Sequence, residues 1–277
     1  MFKIKKYIPD IVVAIILIAG IGLLAYPTIG DYINALHSSK AIGSYVEKTK
    51  DLSKEEKENL LREAREYNES LVGKVNRYYL NEEEKKRYAH ILDITKTGIM
   101  AYVEIPKLNI YMPVYHGTDE GVLQIAAGHL PGSSLPVGGE NTHSLISGHR
   151  GLPSAKLFTD IDKLKKGDLF FIHVFDEVLA YKVNQIKIVL PDDVETLEIE
   201  KGKDYVTLIT CTPYGVNSHR LLVRGERTVY KQSESKIEDM IKKNNLKYIM
   251  LTAGVILALI GMTVLVSVFL IKRRKSN

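Results

Sequence analysis

Cysteine is nearly absent from this 277-residue chain: Cys211 stands alone. An internal disulfide is therefore excluded, and the thiol is either a core filler or a reagent. No group of Cys and His has the spacing of a zinc site, and no internal repeat is visible. The glycines between Gly128 and Gly151 form no phosphate-binding loop, because no Gly-Lys-Ser/Thr follows them. On these grounds no metal and no other cofactor is expected. Excess charge is missing as well. The formal net charge is +5, and the tails alone hold seven cations: Lys3, Lys5, Lys6, Lys272, Arg273, Arg274 and Lys275. The remainder is near neutral and gives no basis for nucleic-acid binding.

Charge is also missing from two long apolar stretches. Ile11 to Tyr26 contains none, and with its flanks, from Tyr7 to Ile29, it is long enough to reach across a bilayer. Tyr248 to Ile271 is the cleaner span, with no charged residue. About 20 apolar residues cross the hydrocarbon core as a helix. Lysines precede the first stretch and a Lys/Arg cluster follows the second, so both ends are expected in the cytoplasm and residues 30–247 outside. A cleaved signal peptide is the alternative for the first stretch. Ala25-Tyr26-Pro27 is a poor cleavage site, and an uncleaved anchor is favoured. A lone external cysteine flags reactivity or an intermolecular bond.

The expected division is a cytoplasmic tail over 1–7, an anchor over 8–29, a helical region over 30–97, a catalytic domain over 98–230, a linker over 231–247, a second membrane helix over 248–271 and a basic tail over 272–277. In the helical region, Ser53-Lys54-Glu55-Glu56 fits a capping box with Ser53 as N-cap. Leu60, Leu61, Ala64, Tyr67 and Leu71 then recur near the helical period. One or two amphipathic helices are expected, packed on the next domain or serving as a stalk; a solvated spacer is the plainer alternative. From Gly98 onward the texture is strand-like. Met100–Pro106, Leu108–Val114, Asp168–Phe175, Val178–Val189, Tyr205–Thr210 and Leu221–Arg224 are rich in β-branched and aromatic residues, with Gly, Pro, Asn and Asp between them. Many short strands with turn signals predict a closed barrel or a sandwich. Leu157 to Leu164 is predicted to carry one short helix.

Cys211 closes one of these runs, and Arg220 opens the next. If the two runs pair antiparallel, both residues lie at the same end of a hairpin, where Cβ atoms of cross-strand neighbours come within about 5 Å. A thiol attacks as thiolate, so a nearby cation or base is needed, together with a donor for the oxyanion. A guanidinium keeps its charge and offers a fork of donors. The base must be one of eight histidines. His149, in the glycine-flanked turn Ser147-Gly148-His149-Arg150-Gly151, is the candidate favoured by a modest margin. His219 is the rival, but if Arg220 faces Cys211, strand alternation turns His219 away. His37, His90, His116, His129, His143 and His173 read as ordinary surface or core residues. For an arbitrary lone cysteine, a buried strand position would be the ordinary role; the turn and the arginine favour catalysis here.

The segment Thr207–Gly225, with Thr210-Cys211-Thr212-Pro213-Tyr214-Gly215-Val216-Asn217 at its centre, resembles the active-site signature of the sortases, and most closely class C, the pilin-polymerising branch. Ser147–Phe158 resembles that branch's histidine motif, and Ile105-Pro106-Lys107-Leu108, His116-Gly117-Thr118 and Gly128-His129-Leu130 occur in the family's order. The resemblance spans about residues 98–227. It implies a mainly β fold, a closed eight-stranded sortase-type barrel with an N-terminal helical region and two terminal membrane helices, held in a Gram-positive envelope. It implies catalytic roles for His149, Cys211 and Arg220. It also implies a cysteine transpeptidase that cuts a Leu-Pro-X-Thr-Gly-like signal on secreted pilins or surface proteins and passes the acyl group to a pilin lysine. A housekeeping-type sortase acting on cell-wall peptide, and a non-catalytic assembly factor on the same barrel, are the alternatives. Many class C enzymes carry an N-terminal lid with an Asp-Pro-aromatic motif; this chain has no Asp-Pro. Asn76-Arg77-Tyr78 holds a comparable place, but Asn cannot offer Arg220 a charge. These three residues are expected to be an inert linker, and the lid weak or absent.

Overall fold

Residues 8–230 are described by a computed structural model, with Met250, Ala253, Gly254 and Gly261 beyond them. The expected tails (1–7 and 272–277) and the linker over 231–247 lie outside the described residues. So does all of the expected second span over 248–271 except those four residues. Residues 27–230 form one compact unit.

Helix α1 (Ile8–Asp51) carries the first apolar stretch. It is the helix long and apolar enough to cross a membrane among the described residues, and Ile15, Ile16, Leu17, Leu23 and Leu24 are exposed along it. The helix does not stop near Ile29. It continues through Pro27 into the compact unit, where Tyr45 is buried without exposure. The Tyr45 hydroxyl donates to the Met100 carbonyl at 3.1 Å and accepts from the Phe175 amide at 3.0 Å. Burial pushes the Tyr45 hydroxyl far above its ordinary pKa, so it remains a donor. Helix α2 (Lys54–Leu71) starts on the Ser53–Glu56 capping box. Its buried face is Leu61, Ala64, Tyr67, Asn68 and Leu71, and Asn68 bonds both the amide and the carbonyl of Leu135. The helices are therefore packed, not a spacer, and each buried leucine or tyrosine adds about 1.5–3 kcal/mol. Helix α3 (Glu82–His90) has a second capping box, Asn81 with Glu84, that was not anticipated. It buries Tyr88 against His129 and His116.

Eight strands follow: β1 (Ile99–Ile105), β2 (Ile110–His116), β3 (Ala127–His129), β4 (Thr142–Ser147), β5 (Leu169–Val174), β6 (Glu177–Val189), β7 (Asp204–Thr212) and β8 (His219–Arg227). They close in the order β1-β2-β3-β4-β7-β8-β6-β5, so the fold is a closed barrel and not a sandwich. The pairs β2–β3 and β4–β7 are parallel and the others antiparallel. Strands β3 and β4 are short and carry Gly, His, Ser and Thr among few apolar residues, which hid them from a reading by apolar runs. The short helix expected over Leu157–Leu164 shrinks to a 3-10 turn at Ile161–Lys163. Leu157 lies in the left-handed region at φ 37°, and the Phe158 amide bonds the His149 carbonyl, so no helix starts there. Ile146, Val206, Leu208, Leu221 and Val223 point into the barrel core, while Leu145, Leu197, Ile209 and Leu222 form a separate apolar cluster. By strand alternation, Ile209 and Leu222 share the outer face with Cys211 and Arg220.

Candidate active site

The β7–β8 hairpin sets the first two residues. Cys211 is the direct register partner of Arg220, and Thr212 that of His219. Cys211 and Arg220 thus share a face, and His219 belongs to the other. Residues 213–218 turn the chain. The amides of Val216 and Asn217 return to the Pro213 carbonyl, with Gly215 and Asn217 at φ 76° and 60°. The thiol is free and half-buried. The Arg220 guanidinium donates to the carbonyls of Asn217 and His219, at 3.3 and 3.2 Å. No carboxylate pairs with it among the described residues, so its charge is uncommitted.

The parallel pairing of β4 with β7 brings in His149. Ser147 pairs with Ile209, and the same offset persists past the strand end. The Gly148 amide donates to the Ile209 carbonyl at 3.0 Å, Thr210 Oγ1 donates to the Gly148 carbonyl at 2.7 Å, and Arg150 donates to Thr212 Oγ1 at 3.4 Å. That offset sets His149 level with Cys211. Gly148 is required for close packing: a Cβ there would lie 2.7 Å from the Phe158 ring. The same phenylalanine holds the His149 carbonyl through its amide, at 3.1 Å. By register, all three predicted site residues therefore lie level at one end of three neighbouring strands.

One contact was missing from the sequence reading. Glu120 opens a four-residue helix, α4 (Glu120–Leu123), in the β2–β3 crossover, and its carboxylate lies 3.4 Å from His149 Nε2. A hydrogen bond from Gln124, and then the approach of His149, keep that carboxyl below its usual range. No sequence period signals this pair, because it joins a loop helix to a loop twenty-nine positions away (149 − 120 = 29). Three other histidines are buried on structural partners. His129 is fully buried, with Nε2 2.8 Å from the Ser134 carbonyl, and His143 bonds Thr207 and the Glu198 carbonyl. Burial pushes them down to about 3 and about 4, respectively. His173 bonds Glu104 at 2.7 Å beneath the Tyr102 ring.

The segment expected to be an inert linker is a correction. Arg77 is only 4% exposed. Its guanidinium donates to the Leu197 carbonyl and to the Tyr78 hydroxyl, both at 2.7 Å, and lies 3.4 Å from Glu198. Tyr78 packs on the outer cluster of Leu145, Leu197, Ile209 and Leu222. The physical reason is that outward apolar side chains on adjoining strands require cover, and a charge is buried only with partners. Gly132 admits the segment: a Cβ there would sit 2.2 Å from the Arg77 carbonyl oxygen. A cavity of about 710 Å³ borders this segment, lined by Arg77, Tyr78, Leu130, Pro191, Val194 and Glu198, and not by Cys211, His149 or Arg220. Among the described residues no three His, Cys, Asp or Glu side chains are grouped so as to hold a metal ion.

Comparison with known proteins gives the same family from several sides. The Sortase domain model matches residues 103–228. Sortase A of Streptococcus agalactiae serotype III (strain NEM316) is 28% identical over 153 residues, 54% of this chain and 61% of that protein. Sortase A of Bacillus anthracis is 31% identical over 133 residues, 48% of this chain and 61% of that protein. The chain thus spans about three fifths of the length of these curated relatives. Solved structures match over more of the chain. Sortase C1 from Streptococcus agalactiae is 49% identical, covers 69% of this chain and 100% of its own, and has a TM-score of 0.68. Sortase C from Streptococcus pneumoniae, described for its catalysis and pilin substrate specificity, is 47% identical, covers 70% of this chain and 99% of its own, and has a TM-score of 0.63.

Proposed function

Because this chain belongs to the sortase family of cysteine transpeptidases, and within it to class C, we propose that it joins pilin subunits through a thioester on Cys211. The observation that carries the reading is the direct cross-strand pairing of Cys211 with Arg220, with His149 brought level by β4. The Cys211 thiolate attacks the threonine carbonyl carbon of a Leu-Pro-X-Thr-Gly-like signal. A C–S bond forms, and the carbonyl electrons move onto oxygen. Arg220, paired with no carboxylate among the described residues, donates to that oxyanion. As the C–N bond breaks, His149 gives its proton to the leaving glycine amine. A pilin lysine amine then attacks the thioester and loses a proton to His149. Cys211 leaves as thiolate, and an isopeptide bond remains. The thioester conserves the acyl energy, so the exchange needs no nucleotide.

The substrates in this reading are secreted proteins with a C-terminal sorting signal, and the acceptor is a lysine amine. Helix α1 supports membrane anchoring with the barrel outside the cell, which raises encounter frequency with membrane-held substrates through effective concentration. Incubating the detergent-solubilised full chain with candidate pilins, and sequencing cross-linked peptides by mass spectrometry, tests it. A threonine–lysine isopeptide that is lost in Cys211→Ala is expected. Transfer to cell-wall peptide amine alone would move the chain to the housekeeping role of its sortase A relatives.

A further inference from the structure

We propose that Glu120 is a positioning residue for His149, turning Nε2 of the ring toward its own carboxylate and leaving Nδ1 for the reacting atoms. The inference rests on the transpeptidase reading above and adds a residue to its machinery. Glu120 divides its two oxygens. One accepts from Gln124, and the other lies 3.4 Å from His149 Nε2. That nitrogen is buried and makes no hydrogen bond among the described residues, and the Glu120 carboxylate is the charged group paired with it. The approach is fixed by a glycine. A Cβ on Gly128 of β3 would lie 2.2 Å from the Gly117 carbonyl and 3.3 Å from the Leu123 side chain, so glycine is what lets the backbone leading into α4 lie against the barrel.

Other charged groups near the ring have different commitments. Arg150 pairs with Asp162 and donates to Thr212. The Asp119 carboxylate is turned toward Gly117. Cys211 on β7 and Arg220 on β8 lie at the same end of the neighbouring strands. Among the described residues, Glu120 is thus the one carboxylate paired with His149. The proposed reaction asks His149 to give a proton and then to take one. A carboxylate on the far nitrogen orients the ring and fixes which nitrogen remains for exchange. The Glu120 side chain is 70% exposed, so water and salt weaken its influence to that of a surface pair.

The test is the rate of transpeptidation by the full chain in detergent, with a sorting-signal peptide and an amine acceptor. Glu120→Gln is expected to lower kcat about two- to five-fold with KM unchanged. Added salt should shrink the difference between the two enzymes. Gln124→Leu should act in the same direction, more weakly. Equal kcat for wild type and Glu120→Gln would overturn the proposal, as would a loss that appears in KM alone. Nitrogen-15 NMR of the labelled His149 ring, read for which nitrogen holds the proton of the neutral form, decides it without turnover. A proton held on Nε2 in the wild type and redistributed in Glu120→Gln supports the pairing, and the same distribution in both defeats it. Absence of turnover in the wild type would sink the transpeptidase reading alone.

Discussion

Arg220 carries a permanent charge, and no carboxylate pairs with it among the described residues. A guanidinium without a carboxylate partner offers its fork of donors to an incoming anion. Arg220→Lys retains the charge and loses the planar fork. We expect it to lower kcat about 100-fold with little change in KM, as for loss of one oxyanion donor; equal rates for the two enzymes would remove Arg220 from that role. At this scale the pairing of Cys211 with Arg220 was legible, because hairpin register and strand alternation are local rules. The choice between His149 and His219 was half legible. Alternation turns His219 to the other face, but setting His149 level with Cys211 takes the parallel β4–β7 pairing, across 62 positions of sequence. Glu120 was not legible, since nothing local distinguishes it from other surface glutamates.

Among the elements, what was read correctly is what local chemistry dictates. Ser53 and Glu56 cap α2 as their side chains require, and the same rule applied to Asn81 and Glu84 would have found α3. The run of α1 to Asp51 was missed because the apolar stretch ends near Ile29 and the polar residues beyond it were assigned to a separate region, whereas packing of Tyr45 on Met100 and Phe175 carries the helix on. The 73–79 segment was missed for a similar reason. Its hold is tertiary: a buried arginine on the Leu197 carbonyl and a tyrosine on Ile209 and Leu222. Arg77→Ala removes that hold. The prediction is that a small thiol reagent labels Cys211 several-fold faster in this variant, with the far-ultraviolet circular dichroism unchanged; equal labelling rates would mean that the segment does not screen the thiol. Such a change leaves the buried Leu197 carbonyl short of a donor, a cost of about 1–3 kcal/mol.

For the molecule as a whole, two buried histidines set the response to acid. His129 bonds Ser134 and lies against Tyr88, and His143 joins β4 to β7 through Thr207. Burial holds them at about 3 and about 4 in the folded state, below the ordinary value of 6.5. The unfolded chain therefore takes up these protons first. Their stabilising contribution is complete above about pH 6.5 and is lost as pH falls, at about 1.4 kcal/mol per pH unit for each site. Urea unfolding of the compact unit 27–230 should show its midpoint falling between pH 6.5 and 5. A flat midpoint there would mean that these rings are already protonated in the native barrel. The many short strands and turns left a closed barrel and a sandwich both open, and the family resemblance chose the barrel; the strand order was hidden from the apolar pattern, because β3 and β4 have little apolar signature and both join by parallel pairing.

All of this converges on a covalent intermediate at a single sulfur, and that species can be weighed. The full chain is mixed with a Leu-Pro-X-Thr-Gly peptide without an amine acceptor, quenched in acid and analysed by mass spectrometry. The account predicts a mass gain equal to the acyl fragment ending in threonine, located on Cys211 and absent from Cys211→Ala. Cleavage of the peptide with no adduct on Cys211, or an adduct on any other residue, would contradict it.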